Sequence, residues 1–511
     1  MSTPSDPIVP GADAAGDDRR LHPLSWLFVL LQQLRSFAVP LVVLVATGRG
    51  GPALGLPLVG VAGLVVVSLI QYVSYRYRAG VDGFVITSGV LQRTRRDIPY
   101  ERIHTVNLHQ SLLHRIFDVT EVRLESAGGK EAEAVMRVLS MADARALEQL
   151  VRERGAACRD EVTETAAATL DPADTRLLAL GTMDVVRLGL ISNRGMVVVA
   201  AVAGASWQFA DDVGVARDDV PGLARDWFRL VRDVASTYTH DAMTMAIVAI
   251  LILVPALILV RALSVLLALL QYHGFTLSET GRQLRVERGL LSRVRNQVPK
   301  RRIQVWRIDE TLLHRWFGRQ ALRVDSAAGS GDDEHAVRYL APVATPVTVN
   351  GIVGHLRTDD VWPPAAWQSI HPRAWRRYFI APAVMTIIAT AILTWVEGPV
   401  GLLTIVVVPL LWMRARALAR FAGYAVTDRT IAVRGGWWHR SWGLAEIRKL
   451  QTLRVTASPF DRRLGMATLW LDTAGASAGD GVLRIPYMPT AEAKRLYAEL
   501  TQRMTAATTT S

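Results

Sequence analysis

The side chains best suited to chemistry lie in a repeated Leu-Leu-His-Arg sequence, at 112–115 and again at 312–315. Histidine titrates near neutral pH, so His114 and His314 could act as general acids or bases. No acid or nucleophile recurs at a fixed spacing from them, and a third copy of the stretch has Asp461 instead. We therefore expect structural histidines at a turn. The arginine recurs in all three copies, as Arg115, Arg315 and Arg462. We expect these arginines to pair with carboxylates, and the alternative is that they bind a ligand.

Other catalytic signatures are missing from the sequence. It has no P-loop, no dinucleotide-type glycine fingerprint, no His-Glu-x-x-His and no nucleophile elbow. A single cysteine, Cys158, rules out a disulfide framework and a cysteine-based metal cluster. We expect no enzyme activity, no catalytic residue, no metal site, no cofactor and no small-molecule substrate.

A second recurring pattern is a glycine followed by two apolar residues and, two positions later, an arginine. If the pattern forms a hairpin tip at the bilayer, the apolar pair can enter the headgroup boundary while arginine meets phosphate. Tryptophan suits the same depth. The alternative is an ordinary strand edge with the apolar pair in the core. The candidate lipid-facing residues are Arg93, Arg95, Arg293, Arg295, Lys300, Arg301, Arg302, Trp437, Trp438, Arg440 and Trp442.

Both patterns belong to an internal repeat. The stretch Ile98–Gly129 returns 200 residues later as Val298–Gly329, and a fainter copy ends at Gly475. Three units of roughly 150 residues suit a chain of 511. The protein is therefore one module used three times.

Composition points to a membrane. Half of the residues are apolar, yet the formal net charge is +12. Six apolar segments, in pairs, precede the three copies. We predict spans at Leu24–Thr47, Leu54–Tyr72, Val185–Phe209, Ala242–Leu270, Tyr378–Val396 and Val400–Met413. Basic residues flank the spans on the side of the repeats, whereas the loop 210–241 is acidic. This asymmetry predicts a multi-pass protein of the cell membrane with both termini and all modules in the cytoplasm.

Each copy reads as short strands closed by one helix. Strand-like runs meet Gly89, Gly289 and Gly436, and a helix begins after Ser140, Thr345 and Thr490. The order of span pair, strand, glycine, apolar pair, arginine, then "IP-x-x-RI" and "QSLLHR-x-F", resembles the bacterial pleckstrin-homology-like family of membrane-flanked domains (bPH2, YdbS/YdbT-like). The resemblance implies a seven-stranded, barrel-like sheet capped by a C-terminal helix, and no enzyme activity.

The predicted fold is thus a multi-pass α-helical membrane protein with three cytoplasmic PH-like modules. The predicted boundaries are a disordered tail at 1–20, span pairs at 24–75, 184–270 and 375–420, and modules at 76–156, 271–357 and 421–505. We expect a non-catalytic scaffold that binds anionic lipids of the inner leaflet, a protein partner or a related membrane subunit. Its expected process is maintenance of the cell envelope. The alternative is a six-span transporter or channel with regulatory modules. Nucleic acid is not expected, because much of the basic excess flanks spans.

Overall fold

The computed structural model describes 19–20, parts of 25–70, 72–80, 83–89, 93–100, 103–126, 134–160, 175–209, 242–326, 338–357, 361–474 and 482–509. The chain forms two compact units. The first comprises 1–171, 192–274 and 287–295, and the second 172–191, 275–286 and 296–511. Most of the first predicted span pair, residues 1–18 of the predicted N-terminal tail and the loop 210–241 lie outside the described residues.

The first unit contains the first module, built from two sheets and two helices. One sheet has β1 (Arg19–Arg20), β2 (Arg76–Ala79), β3 (Gly83–Ser88) and β4 (Thr94–Pro99), in that order. The other holds β5 (Ile103–Gln110), β6 (Val119–Ser126) and β7 (Ala134–Ser140), and the helices are α1 (Leu112–Ile116) and α2 (Met141–Asp160). Phe84, Tyr100, Leu124 and Met136 are fully buried between the layers. The predicted cap on α2 is confirmed, since the Asp143 amide donates to the Ser140 hydroxyl at 3.1 Å.

The second unit holds most of the second module and the third. Its strands are β8 (Thr175–Ala179), β9 (Thr276–Thr280), β10 (Gln283–Arg288), β11 (Arg293–Pro299), β12 (Ile303–Glu310), β13 (Gln320–Ser326), β14 (Tyr339–Ala344), β15 (Gln368–Ser369), β16 (Gly423–Val426), β17 (Thr430–Gly435), β18 (Arg440–Glu446), β19 (Leu450–Thr456), β20 (Met466–Thr473) and β21 (Leu483–Pro489). Strand β10 ends in the first unit, and strand β11 begins there, because residues 287–295 belong to that unit. One seven-stranded sheet runs β14-β13-β12-β18-β17-β16-β15, and a three-stranded sheet runs β19-β20-β21. The strand-rich modules predicted from the sequence are confirmed.

The helices after α2 are α3 (Thr182–Ile191), α4 (Arg194–Phe209), α5 (Ala242–Tyr272), α6 (Leu312–Trp316), α7 (Pro346–Leu356), α8 (Ala374–Glu397), α9 (Val407–Phe421), α10 (Pro459–Arg463) and α11 (Thr490–Thr509). Thr345 caps α7, whose Thr348 amide donates to its hydroxyl at 3.2 Å. In each module the closing helix follows the last strand directly.

Three described helical segments are long and apolar enough to cross a bilayer. They are Ala246–Tyr272, Ala374–Val396 and Gly401–Phe421. The last begins in a 3-10 segment (Gly398–Val406) and ends at Phe421, one residue beyond the predicted boundary of the third span pair at 420. These segments agree with the predicted fourth, fifth and sixth spans.

The predicted third span is wrong as one helix. Val185–Phe209 divides into α3 and α4, with a break at Ser192 and Asn193. The Arg261 guanidinium donates to the Ser192 carbonyl and to the Asn193 side-chain oxygen, both at 3.3 Å, so the backbone freed by the break is hydrogen-bonded. The 16 residues of α4 extend about 24 Å, less than the ~30 Å hydrocarbon core of a bilayer.

Candidate functional site

The recurring glycine forms the turn of a β-hairpin in every copy. Gly89, Gly289 and Gly436 have φ of +95°, +111° and +101°. This left-handed backbone favours glycine. A Cβ on Gly436 would also lie 1.8 Å from the carbonyl oxygen of His439. The predicted hairpin is therefore confirmed, and its turn requires glycine.

The turn lies where the preceding apolar helix ends. In the first unit, the Leu290 amide donates to the Leu270 carbonyl, and the Gly289 amide to the His273 carbonyl, each at 2.9 Å. In the second unit, the last residue of α9, Phe421, contacts Trp442 edge-on with ring centres 5.5 Å apart. The Arg440 guanidinium lies 4.6 Å from the Phe421 ring centre. The glycine turn is thus the end of the module nearest the apolar helix.

The arginine of Leu-Leu-His-Arg holds the glycine turn of the following copy. Arg315 donates to the carbonyls of Trp437 and Trp438 at 3.0 and 3.2 Å. Arg115 donates likewise to the Leu290 carbonyl at 2.8 Å. The expected pairing of Arg115 and Arg315 with carboxylates is therefore wrong. Backbone carbonyls, which no sequence pattern displays, are their partners.

Each bridging arginine joins a short helix to a glycine turn, and we call the resulting surface a rim. The first-unit rim is α1 with the turn Gly289–Ser292, and the second-unit rim is α6 with the turn Gly436–His439. Large apolar side chains are exposed on both. Their exposed fractions are 71% for Ile116, 82% for Trp316 and 61% for Trp438. Leu112, Leu113, Phe117, Leu290, Leu291 and Leu312 are also exposed. A five-residue helix is too short to bury apolar residues on all of its sides. The apolar residues around Leu-Leu-His-Arg were therefore a signal of exposure that the sequence already contained.

The histidines within the rims are buried, and each bonds to the residue that caps its short helix. His314 Nδ1 lies 2.8 Å from the hydroxyl of Thr311, the residue that caps α6. Burial lowers the pKa of His314 to about 4. His114 makes the same contact with Ser111. These positions match the structural role predicted for both histidines.

Asp461 fills the same position in the third copy. Its carboxylate accepts the Ser458 amide at 3.0 Å and the Arg377 guanidinium at 2.9 Å. Burial alone would raise the pKa of Asp461, but hydrogen bonds from Ser458 and Arg377 outweigh it and leave the pKa lowered. The change from histidine to aspartate is therefore matched by the arginine of α8.

The rims continue into strand pairing between copies. β12 of the second copy pairs antiparallel with β18 of the third, from Val305 opposite Ala445 to Glu310 opposite Arg440. In the first unit, β5 pairs with the first three residues of β11, with Leu108 opposite Arg295. Neither joint was predicted, because the strand patterns do not say which edge a strand will meet.

A basic cleft lies at the other end of the hairpin in the second unit. β18 separates it from the rim by seven residues, about 20 Å. The cleft has a volume of about 440 Å³, and two 3-10 turns, Lys300–Arg302 and Ile447–Lys449, contribute to it. Its basic residues are Lys300, Arg301, Arg357, Arg429, Arg448, Lys449 and Arg503, against Asp428 and Glu446.

Carboxylates neutralise part of this charge. Glu446 accepts Arg448 at 2.6 Å and Lys449 at 2.9 Å. Burial by itself would raise the pKa of Glu446, but hydrogen bonds from Lys449 and Arg448 and the charge of Arg357 outweigh it and lower the pKa. Lys300 forms a short ion pair with Glu279. The remaining positive charge gives the cleft the chemistry of an anion site.

The structure divides the predicted lipid-facing residues between the two ends. Trp437, Trp438 and Arg440 lie at the second-unit rim, with Trp442 beside Phe421. Lys300 and Arg301 line the basic cleft, and Arg302 belongs to the same 3-10 turn as these two residues.

The remaining predicted residues lie on β4 and β11 or beside them. Arg93 precedes β4 and is exposed, and Arg95 on β4 forms a largely exposed ion pair with Asp97 at 3.3 Å. Arg293 is exposed at the start of β11, whereas Arg295 is half-buried and pairs with Glu287 at 2.7 Å.

Comparison with known proteins agrees with this architecture. The Bacterial PH domain family matches three stretches of the chain, residues 27–155, 228–354 and 379–504. These stretches cover well over half of the sequence, so the chain belongs to the bacterial PH domain family. Over 473 residues it is 23% identical to the UPF0699 transmembrane protein YdbT of Bacillus subtilis (strain 168), covering 89% of this chain and 92% of that protein. No solved structure matches. The protein is a transmembrane protein with bacterial PH-like domains.

Proposed function

We propose that the protein is a non-catalytic scaffold of the cell membrane whose three PH-like modules lie on the cytoplasmic leaflet, with the two rims against the lipid. In this arrangement the apolar helices anchor the modules, both termini are cytoplasmic, and the basic cleft of the second unit and the free strand edges among the described residues remain available to partners. The exposed apolar side chains of the rims, at the ends of the apolar helices, carry the proposal.

The energetics of the rims favour lipid contact. An aromatic side chain such as Trp316, 82% exposed, would transfer on the order of 150 Å² from water, which contributes roughly 3 to 4 kcal/mol. Arg440 and Arg293 add roughly 1 kcal/mol each when they lie near an anionic leaflet. Solvent-exposed tryptophan at 82% and 61% on one surface would otherwise be an aggregation liability.

The transporter alternative receives no support from the three described candidate spans. None of them contains an aspartate or glutamate. The polar groups between α8 and the segment after it are threonines that bond to one another and to their own helix. Thr390 and Thr404, for example, are 2.6 Å apart. Such hydroxyls pack helices and offer no charged site for an ion.

Photo-crosslinking of the full-length chain in native membranes tests the proposal. p-Benzoylphenylalanine in place of Trp438 should form lipid adducts detectable by mass spectrometry. The matched control carries p-benzoylphenylalanine in place of Arg448, whose side chain is 72% exposed at the basic cleft. Lipid adducts at position 438 and few at 448 support the scaffold on the leaflet. Equal lipid labelling at both positions, or none at 438, would contradict it.

A further inference from the structure

Both joints within the chain use the same pair of edges. The acceptor is the outer edge of the strand that precedes Leu-Leu-His-Arg, namely β5 or β12. The donor is the second strand of the next copy's hairpin, β11 or β18. The arginine after the acceptor strand then binds the donor's glycine turn. The chain thus contains two examples of one connector.

In the third copy the acceptor strand is present, but no described strand acts as its donor. β19 is the first strand of its sheet, and no described strand lies on its outer side. The consequence is visible at one equivalent position. Leu108 and Ile308 are 6% and 4% exposed beneath a donor strand, whereas Val455 is 36% exposed. The bridging arginine is also present, as Arg462 on α10.

In the first copy the donor strand is present, but no strand in the described part of the chain acts as its acceptor. β4 lies at the edge of its four-stranded sheet among the described residues. Five of its six residues are exposed, whereas none of the seven residues of β18, which pairs with β12 over residues 440–445, is exposed. Gly89 has the same positive φ as its counterparts. Among the described residues, one chain therefore carries an unpaired acceptor edge at its third module and an unpaired donor edge at its first.

We infer that copies of this chain assemble head to tail, with β4 of one copy pairing antiparallel with β19 of the next. The register of β12 and β18 places Thr94 opposite Thr456, and Arg95 opposite Val455. Such an interface is heterologous, so it produces a ring if the rotation closes and a filament if it does not. Edge pairing supplies main-chain hydrogen bonds, and covering Val455 adds apolar burial.

The same register contains one unfavourable pair, Arg96 opposite Arg454. The corresponding pair within the chain is Gly443 opposite Arg307. Like charges directly opposite each other weaken a strand pair. Charge-reversal substitutions at these two positions can therefore identify the donor strand. If β4 is the donor, Arg454→Glu should strengthen the association about threefold to tenfold, and Arg96→Glu with wild-type Arg454 should do the same.

Disulfide trapping in the full-length chain tests the register. In a Cys158→Ser background reconstituted into lipid vesicles, Thr94→Cys together with Thr456→Cys should give dimers and higher multiples under mild oxidation. Opposed residues on paired strands lie within disulfide reach. The matched control replaces Thr456→Cys with Thr452→Cys, which shifts the thiol four residues along the same strand, about 13 Å. Arg462→Ala should reduce trapping about tenfold, since it removes charged hydrogen bonds.

The outcomes separate the possible occupants. Trapping at 94 with 456, absent at 94 with 452, supports assembly of this chain with itself. Equal trapping at 452 and 456, or monomers throughout, would overturn the inference. When the same oxidation is repeated in native membranes, a crosslink from Thr456→Cys to a different protein, without need for Thr94→Cys, would assign the edge to another subunit and also overturn it.

Discussion

Replacement of Arg315 by alanine should open the joint between the second and third copies. The guanidinium donates two hydrogen bonds, to the carbonyls of Trp437 and Trp438 at 3.0 and 3.2 Å. A hydrogen bond with a charged partner contributes roughly 1.5 to 3 kcal/mol when buried. Because the Trp438 carbonyl is accessible to water, we take about 1 kcal/mol for each bond. We therefore expect the free energy required to separate β18 from β12 to fall by about 2 kcal/mol.

Hydrogen exchange measures this loss. In nanodiscs, the amides of β18 should exchange about 30-fold faster in Arg315→Ala than in the unaltered protein, because ~1.4 kcal/mol corresponds to a factor of ten. The matched control is Arg462→Ala, the equivalent arginine of the third copy, which should leave β18 exchange unchanged. A change below threefold in Arg315→Ala, or an equal change in both variants, would refute the role assigned to Arg315.

Three further substitutions test the local reasoning. Gly436→Ala should destabilise the third module, since its Cβ would lie 1.8 Å from a carbonyl oxygen, whereas Gly435→Ala meets nothing within 4 Å and should be neutral in a thermal-shift assay. The pKa of His314 is lowered to about 4, so the unfolded chain takes up a proton on this histidine near pH 6.5 and the folded chain does not. The free energy of unfolding should therefore fall by at most about 3 kcal/mol as the pH drops from 6.5 to 4. His314→Asn should remove that part of the pH dependence of urea unfolding. Gly195→Leu should separate α4 from α5, since its Cβ would lie 2.4 Å from the Ser264 hydroxyl oxygen that accepts its amide; lower detergent-resistant stability is the readout, and an unchanged melting temperature would contradict the close packing.

The module itself could be read from the sequence. The glycines at 89, 289 and 436 predict hairpin turns because the pattern repeats with strands on both sides, and the structure gives all three a positive φ. The caps at Ser140 and Thr345 follow from side chains that can accept a backbone amide. These features depend on neighbours in sequence, so local rules are sufficient to find them.

The rims and joints depend on contacts between copies, and local rules do not reach them. Arg115 and Arg315 recur for a reason that becomes visible only when the turn of the following copy lies beside them. Likewise, the apolar pattern of Val185–Phe209 predicts one span, because the hydrogen-bonding partner of the break between α3 and α4, Arg261, lies 68 residues away. The recurring Arg462, with no turn to hold in the described chain, was the sequence signal for an unused edge.

The orientation of the modules is tested most directly by the depth of the second-unit rim in the bilayer. In a Cys158→Ser background, Trp438→Cys carries an environment-sensitive fluorophore, and Arg448→Cys carries it in the control protein. Both proteins are reconstituted in nanodiscs containing lipids with quenchers at the headgroup or along the acyl chain. A rim on the leaflet predicts a blue-shifted emission and strong quenching at position 438, with neither at 448. Unquenched, water-like emission at 438 would contradict the account.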